Sequence, residues 1–197
     1  YHQKIAVIKN RDGAFGFCGG IDMNPNRVDD ADHNVSGPYH DVHTMVEGQA
    51  VVDVATTFAQ RWKRDGRKEN GAEEPAAFTP GSITPPETTG DDVVQVARTY
   101  PHVLDTAKRL AFAPFGDRTI LDTTLSAIRS AKEYIHIEDQ YFTPPPEYVD
   151  AIVERVASGQ LRKLIITLPT SSDQPFGDLS QANTIAAFKA AETAALK

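Results

Sequence analysis

The sequence is poor in cysteine, in uninterrupted apolar runs and in positive charge. Its one cysteine, Cys18, cannot close an internal disulfide, and a single thiolate cannot supply a cysteine-rich zinc module. No apolar run reaches the length of a transmembrane helix. Residues 1–8 lack the basic start and following apolar stretch of a secretory signal, so none is predicted, and a secreted, peripheral or cytosolic protein all fit. Lys and Arg number 20 against 27 Asp and Glu, a net charge of −7. That balance argues against a general nucleic-acid clamp, because phosphate backbones reward clustered cations, although a locally basic pocket stays compatible with it. What is present is 197 residues, 40% of them hydrophobic, which is room for one ordinary domain with its own core. The mean hydropathy of −0.38 suits a soluble globular chain.

Short strand-like and helix-like stretches alternate. Residues 3–8 and 14–18 read as strands joined by a turn at 10–13, a hairpin. Residues 21–44 read as a long polar loop, and its histidines and acids favour a functional role. Residues 47–65 predict a helix with Val51, Val54, Ala55, Phe58 and Trp62 on one face. Residues 66–91 hold almost no large apolar side chains and read as a solvated linker. Beyond it come a strand at 93–97 and a helix at 117–132, with Ile120, Leu121, Leu125, Ile128 and Ala131 on one side. A strand at 134–139, a helix at 146–158 opened by proline, a strand at 164–168 and an Ala-rich helix at 179–197 follow. The pattern predicts an α/β protein with a mixed sheet flanked by helices, in three segments, 1–65, 66–91 and 92–197.

The densest chemistry lies at the start. On a strand, His2 and Lys4 share a face, so an imidazole and an ammonium point the same way. Such a pair suits a phosphate: the histidine attacks phosphorus or passes a proton, and the lysine neutralises the non-bridging oxygens. Alone, H-x-K is common and describes two surface side chains equally well. Here Asp12 follows, and then Gly19-Gly20-Ile21-Asp22, where glycines at a strand end let backbone amides approach an anion.

These residues resemble the phospholipase D superfamily, whose signature is H-x-K-x4-D-x6-G-[G/S]-x-N. This chain reads H-x-K-x7-D-x6-G-G-x-D. Lys9 therefore stands at the expected acid, Asp12 is displaced by three residues, and Asp22 closes the block. The likeness continues through Arg27, Asp29 and His33, through Tyr39-His40-Asp41-Val42-His43, where tyrosine replaces tryptophan, and through Val46 to Val51 with Phe58, Arg61 and Trp62. It resumes at Val94-Gln95-Val96-Ala97-Arg98 and at 134–142, Y-I-H-I-E-D-Q-Y-F. It is weakest over 66–91 and 170–197.

The resemblance implies an α/β sandwich and cleavage of a phospholipid phosphodiester through a phosphohistidine, with water or an alcohol as acceptor. His2 would be the nucleophile and Lys4 the phosphate holder. Asp22 and the Gly20 backbone would sit beside the phosphate. Asp41 would bond the far nitrogen of the catalytic imidazole, and Asp12 would be the structural acid of the motif. Glu138 and Asp139 would lie at the rim or floor of the pocket. Neither metal nor cofactor is implied. The partners implied are a phospholipid at a membrane or micelle surface, with no nucleic acid, and a second H-x-K motif, which 1–197 lacks. That motif would come from a further segment of a longer chain, expected because the first begins at residue 2, or from a second copy. Two alternatives stand beside this: another phosphodiester enzyme of the superfamily (cardiolipin synthase-like or a nuclease), or a degenerate lipid-binding scaffold without catalysis. His33, His40 and His43 fit hydrogen-bonded loop histidines better than metal ligands, Phe58 and Trp62 fit helix core, and Cys18 a small buried residue.

Overall fold

A computed structural model describes residues 2–35, 40–65, 90–172 and 174–196, over 63–65 the backbone alone. Tyr39 and most of the expected linker lie outside the described residues. The chain forms two compact units, the first built from residues up to Val96 together with Leu110–Phe112, the second from Ala97–Arg109 and Ala113 onward.

In the first unit, β1 (Lys4–Asn10) and β2 (Gly13–Gly19) form the expected hairpin, in register from Lys4 opposite Gly19 to Asn10 opposite Gly13. The turn is Arg11-Asp12, and Asn10 Oδ1 ties it by accepting from the amides of Asp12 at 2.8 Å and Gly13 at 3.1 Å. A third strand, β3 (His43–Val46), pairs antiparallel with β2. Helix α1 (Ala50–Asp65) covers this sheet. Val51 and Ala55 are buried against Ala14, with Val7, Val46 and Val52 around them. Gly16 permits this approach: a Cβ there would stand 3.1 Å from Val46 and 3.3 Å from Val54. Of the predicted apolar face, Val51, Val54 and Ala55 are buried. Phe58 and Trp62 are only half-buried and stack on each other at 5.8 Å between ring centroids. Cys18 is likewise half-buried, since it sits near the sheet end, next to exposed Gly19.

Residues 93–97 are irregular rather than a strand. Three valines in five residues carry β propensity, but a strand also needs a neighbour for its backbone groups, and no sheet among the described residues takes this segment in. Val93 is wholly exposed.

The second unit is a β-α-β arrangement. Strands β4 (Tyr134–Glu138) and β5 (Lys163–Thr167) pair in parallel, connected through α3 (Pro146–Ala157). Pro146 opens α3 where its missing N–H costs nothing. Helices α2 (Thr119–Ser130) and α4 (Gly177–Ala195) both pack on α3. The core joins Leu125, Ile128, Phe142, Ala151, Ile152 and Phe188, with Ile135, Ile137, Leu164 and Ile166 supplied by the strands. Ile120, expected on the inner side of α2, is exposed, because the stripe that meets α3 is centred on Leu125 and Ile128. Asp117 starts α2, accepting from the Thr119 amide at 3.0 Å and hydroxyl at 2.8 Å and pairing with Arg98 at 3.0 Å. Burial works against its charge, but the Thr119 and Arg98 donors outweigh it and hold the carboxyl below its ordinary range. The α/β class expected from the sequence is the class observed, with antiparallel and parallel strands in separate sheets.

Candidate active site

Lys4 is the centre of the arrangement at the open end of the β1–β2–β3 sheet. Its Nζ lies 2.9 Å from Nδ1 and 3.2 Å from Nε2 of His2, 2.9 Å from the His2 carbonyl, and 3.0 Å from Asp22 Oδ1. The Lys4 side chain is largely covered, although its partners are open to solvent. An ammonium can only donate, so a ring nitrogen bonded to it presents a lone pair. The i, i+2 relation read from the sequence thus becomes a direct contact. Asp22 also receives Arg27 at 3.6 Å. The Lys4 hydrogen bond holds the Asp22 carboxyl below its ordinary range, and the charges of Lys4 and Arg27 add to it against a smaller cost of desolvation. A tetrahedral anion near Lys4 would meet an ammonium, a guanidinium and an imidazole.

The structure brings His2, Lys4 and Asp22 together and leaves other expected members elsewhere. Asp12 is at the tip of the hairpin, exposed and paired with Arg11 at 3.5 Å. A seven-residue strand separates it from Lys4, roughly 20 Å at the usual rise. The two-residue turn dictates this position, since any acid at 11 or 12 must sit at the far end of the ladder. The Gly20 amide is not free for an anion, because it donates to the Val42 carbonyl at 2.9 Å. The Asp41 carboxylate lies directly against Gly20, in the space a Cβ there would fill, and accepts from the Val42 amide at 2.7 Å. Among the described residues no hydrogen bond joins Asp41 to His2. In the second unit, Glu138 ends β4 on its exposed face. Asp139 caps a turn: its Oδ1 accepts from the amides of Tyr141 at 2.8 Å and Phe142 at 2.7 Å, holding Phe142 at φ 44°.

Arg27 carried no role in the sequence reading, and His43, expected as a hydrogen-bonded loop histidine, instead opens strand β3. Arg27 reaches Asp22 through the short 3-10 turn Pro25–Arg27, whose cap, Asn24, could have been read from the sequence. His43 is placed by strand pairing, since the register aligns Lys4, Gly19 and His43 in one row across three strands. Gly19 leaves room for the imidazole: a Cβ there would stand 2.9 Å from His43 Cγ. Both His43 ring nitrogens are buried without a partner among the described residues. By contrast, His33 is a hydrogen-bonded loop histidine, its Nδ1 2.6 Å from Asp29 Oδ2.

With this geometry in view, comparison with known proteins gives a consistent result. The sequence profile described as Phospholipase D matches residues 30–147, more than half of the chain. The chain belongs to the phospholipase D family. It is similar to phospholipase D alpha 1 of Cynara cardunculus, 29% identical over an alignment covering 72% of this chain and 24% of that protein. It is similar also to phospholipase D alpha 2 of Arabidopsis thaliana, 26% identical over 86% of this chain and 30% of that protein. The chain thus spans about a quarter of the length of the curated relatives it matches. Asp41, Glu138 and Asp139 fall inside the matched segment, while His2, Lys4 and Asp22 precede it. Among the described residues, no helix is long and apolar enough to cross a membrane.

Proposed function

We propose that this chain carries the first catalytic motif of a phospholipase D-type phosphodiesterase, which hydrolyses or transphosphatidylates a phospholipid. The observation that carries the reading is the junction of His2, Lys4 and Asp22 in a chain of this family. The curated relatives, named phospholipase D, supply the substrate class.

In the proposed reaction a ring nitrogen of His2 attacks phosphorus with its lone pair, and the bond from phosphorus to the leaving alcohol oxygen breaks. The alcohol takes its proton from an acid of a second H-x-K motif, contributed by a further segment or a second copy. Water or another alcohol then attacks the phosphohistidine, gives up its proton to that same group, and frees His2. Lys4 turns its donors from the imidazole to the non-bridging oxygens as the phosphate enters. Asp22, paired with Lys4, fixes where the ammonium waits. Asp41 acts through the β2–β3 junction it packs on.

The test is phosphohistidine trapping in the full-length protein with a phospholipid labelled at phosphorus. Acid-labile, base-stable label on His2, absent from a His2→Asn variant, is expected. An active wild-type protein without label on His2 overturns the assignment. Lipid binding with neither turnover nor label leaves the non-catalytic scaffold as the reading.

A further inference from the structure

Four large apolar residues next in the chain to residues at or beside the Lys4–Asp22 pair are exposed. Ile21 and Met23 flank Asp22 and are 40% and 80% exposed. Val28 follows Arg27 and is 67% exposed, and Val42 follows Asp41 and is 66% exposed. Each is the chain neighbour of a residue placed at or beside the site, and backbone bonds gather them. The Gly20 amide to Val42 carbonyl bond joins the two ends of the loop, the Asn24 amide donates to the Asp22 carbonyl at 2.8 Å, and the Arg27–Asp22 pair draws in Val28. These polar bonds and the Asn24 cap hold the described part of the loop. Single exposed apolar residues need no explanation, but four of them tied to one polar site do.

We propose that Ile21, Met23, Val28 and Val42 form an interfacial contact that seats the rim of the Lys4–Asp22 site in the outer layer of a phospholipid surface. The inference rests on the phospholipid reading above and adds to it the segment that meets the aggregate. Side chains of this kind partition into the boundary between headgroups and acyl chains, which would bring a headgroup phosphate to the level of Lys4. Charge narrows the surface. The exposed Asp30 and Asp32 follow the contact, and carboxylates there repel anionic headgroups. The surface it fits is therefore zwitterionic.

The test uses the full-length protein and the double variant Met23→Ser/Val28→Ser. Two readouts apply: sedimentation with phosphatidylcholine vesicles, and turnover of those vesicles against a short-chain phosphatidylcholine dissolved below its micelle concentration. The variant is expected to lose about tenfold in vesicle binding and vesicle turnover. Monomer turnover should stay within about twofold of wild type, with an unchanged melting temperature. Unchanged vesicle binding, or an equal loss on vesicles and monomers, overturns the proposal. So does binding that rises steeply with anionic lipid and ignores the substitutions, and so does a loss reproduced by docking to another protein in lipid-free buffer. If the wild type turns over neither substrate, the phospholipase reading fails, and vesicle sedimentation still decides the interfacial contact separately.

Discussion

The Lys4 ammonium stands 3.0 Å from Asp22 Oδ1, and the two residues lie at adjacent strand ends, Lys4 opening β1 and Asp22 three residues past β2. Because this pairing depresses the Asp22 ionisation, it carries a pH signature. The stabilisation is complete above the range where an unfolded aspartate ionises, about pH 4, and is lost as pH falls through the lower folded value. Wild type should melt above Asp22→Asn near neutral pH, and the gap should close in strong acid. A gap that stays constant with pH would remove the ion pair as its cause.

Gly19 and Gly20 should differ as alanines. A methyl on Gly19 meets backbone, the Val42 carbonyl and His43 Cα, which cannot retreat without opening the β2–β3 ladder. A methyl on Gly20 meets the Asp41 carboxylate, the end of a side chain that can turn away. Gly19→Ala is expected to cost about 1–3 kcal/mol, and Gly20→Ala less. Urea unfolding of both variants checks the order, and the reverse order refutes this account.

Asp139 tests structure against chemistry at one position. Asparagine keeps an Oδ1 for the Tyr141 and Phe142 amides, whereas alanine leaves both without their acceptor. Asp139→Ala should cost about 1–3 kcal/mol and Asp139→Asn clearly less. If Asp139→Asn keeps its melting temperature and loses turnover, the charge itself acts on substrate.

Ile152 and Ile120 are both isoleucines in helices and should behave differently. Ile152 is wholly enclosed in the second-unit core, so Ile152→Ala should cost about 2–5 kcal/mol. Ile120 is 48% exposed, so Ile120→Ala should stay within about 1 kcal/mol. Thermal unfolding of the two variants measures both.

What the sequence determined by itself is local. Asn10 to Gly13 has the chemistry of a two-residue turn, and it closes the hairpin. The 3.6-residue spacing of Val51, Val54 and Ala55 makes α1 and selects its buried side. The i, i+2 spacing of His2 and Lys4 is close enough that a side chain can bridge it, as it does. Family membership was legible for a similar reason, since ordered blocks of residues survive as a string. Tertiary structure decided the rest. β3 exists because β2 offers an edge to His43–Val46, while the valines at 93–97 find none among the described residues. Asp22, and not the displaced motif acid Asp12, meets Lys4, because the hairpin returns its second strand to the start of the first. The Gly20 amide goes to Val42, and Asp41 to the space above Gly20, because strand register brings 20 and 42 side by side. Spacing along a chain fixes which faces residues share, but partners across a sheet are fixed by which edges meet.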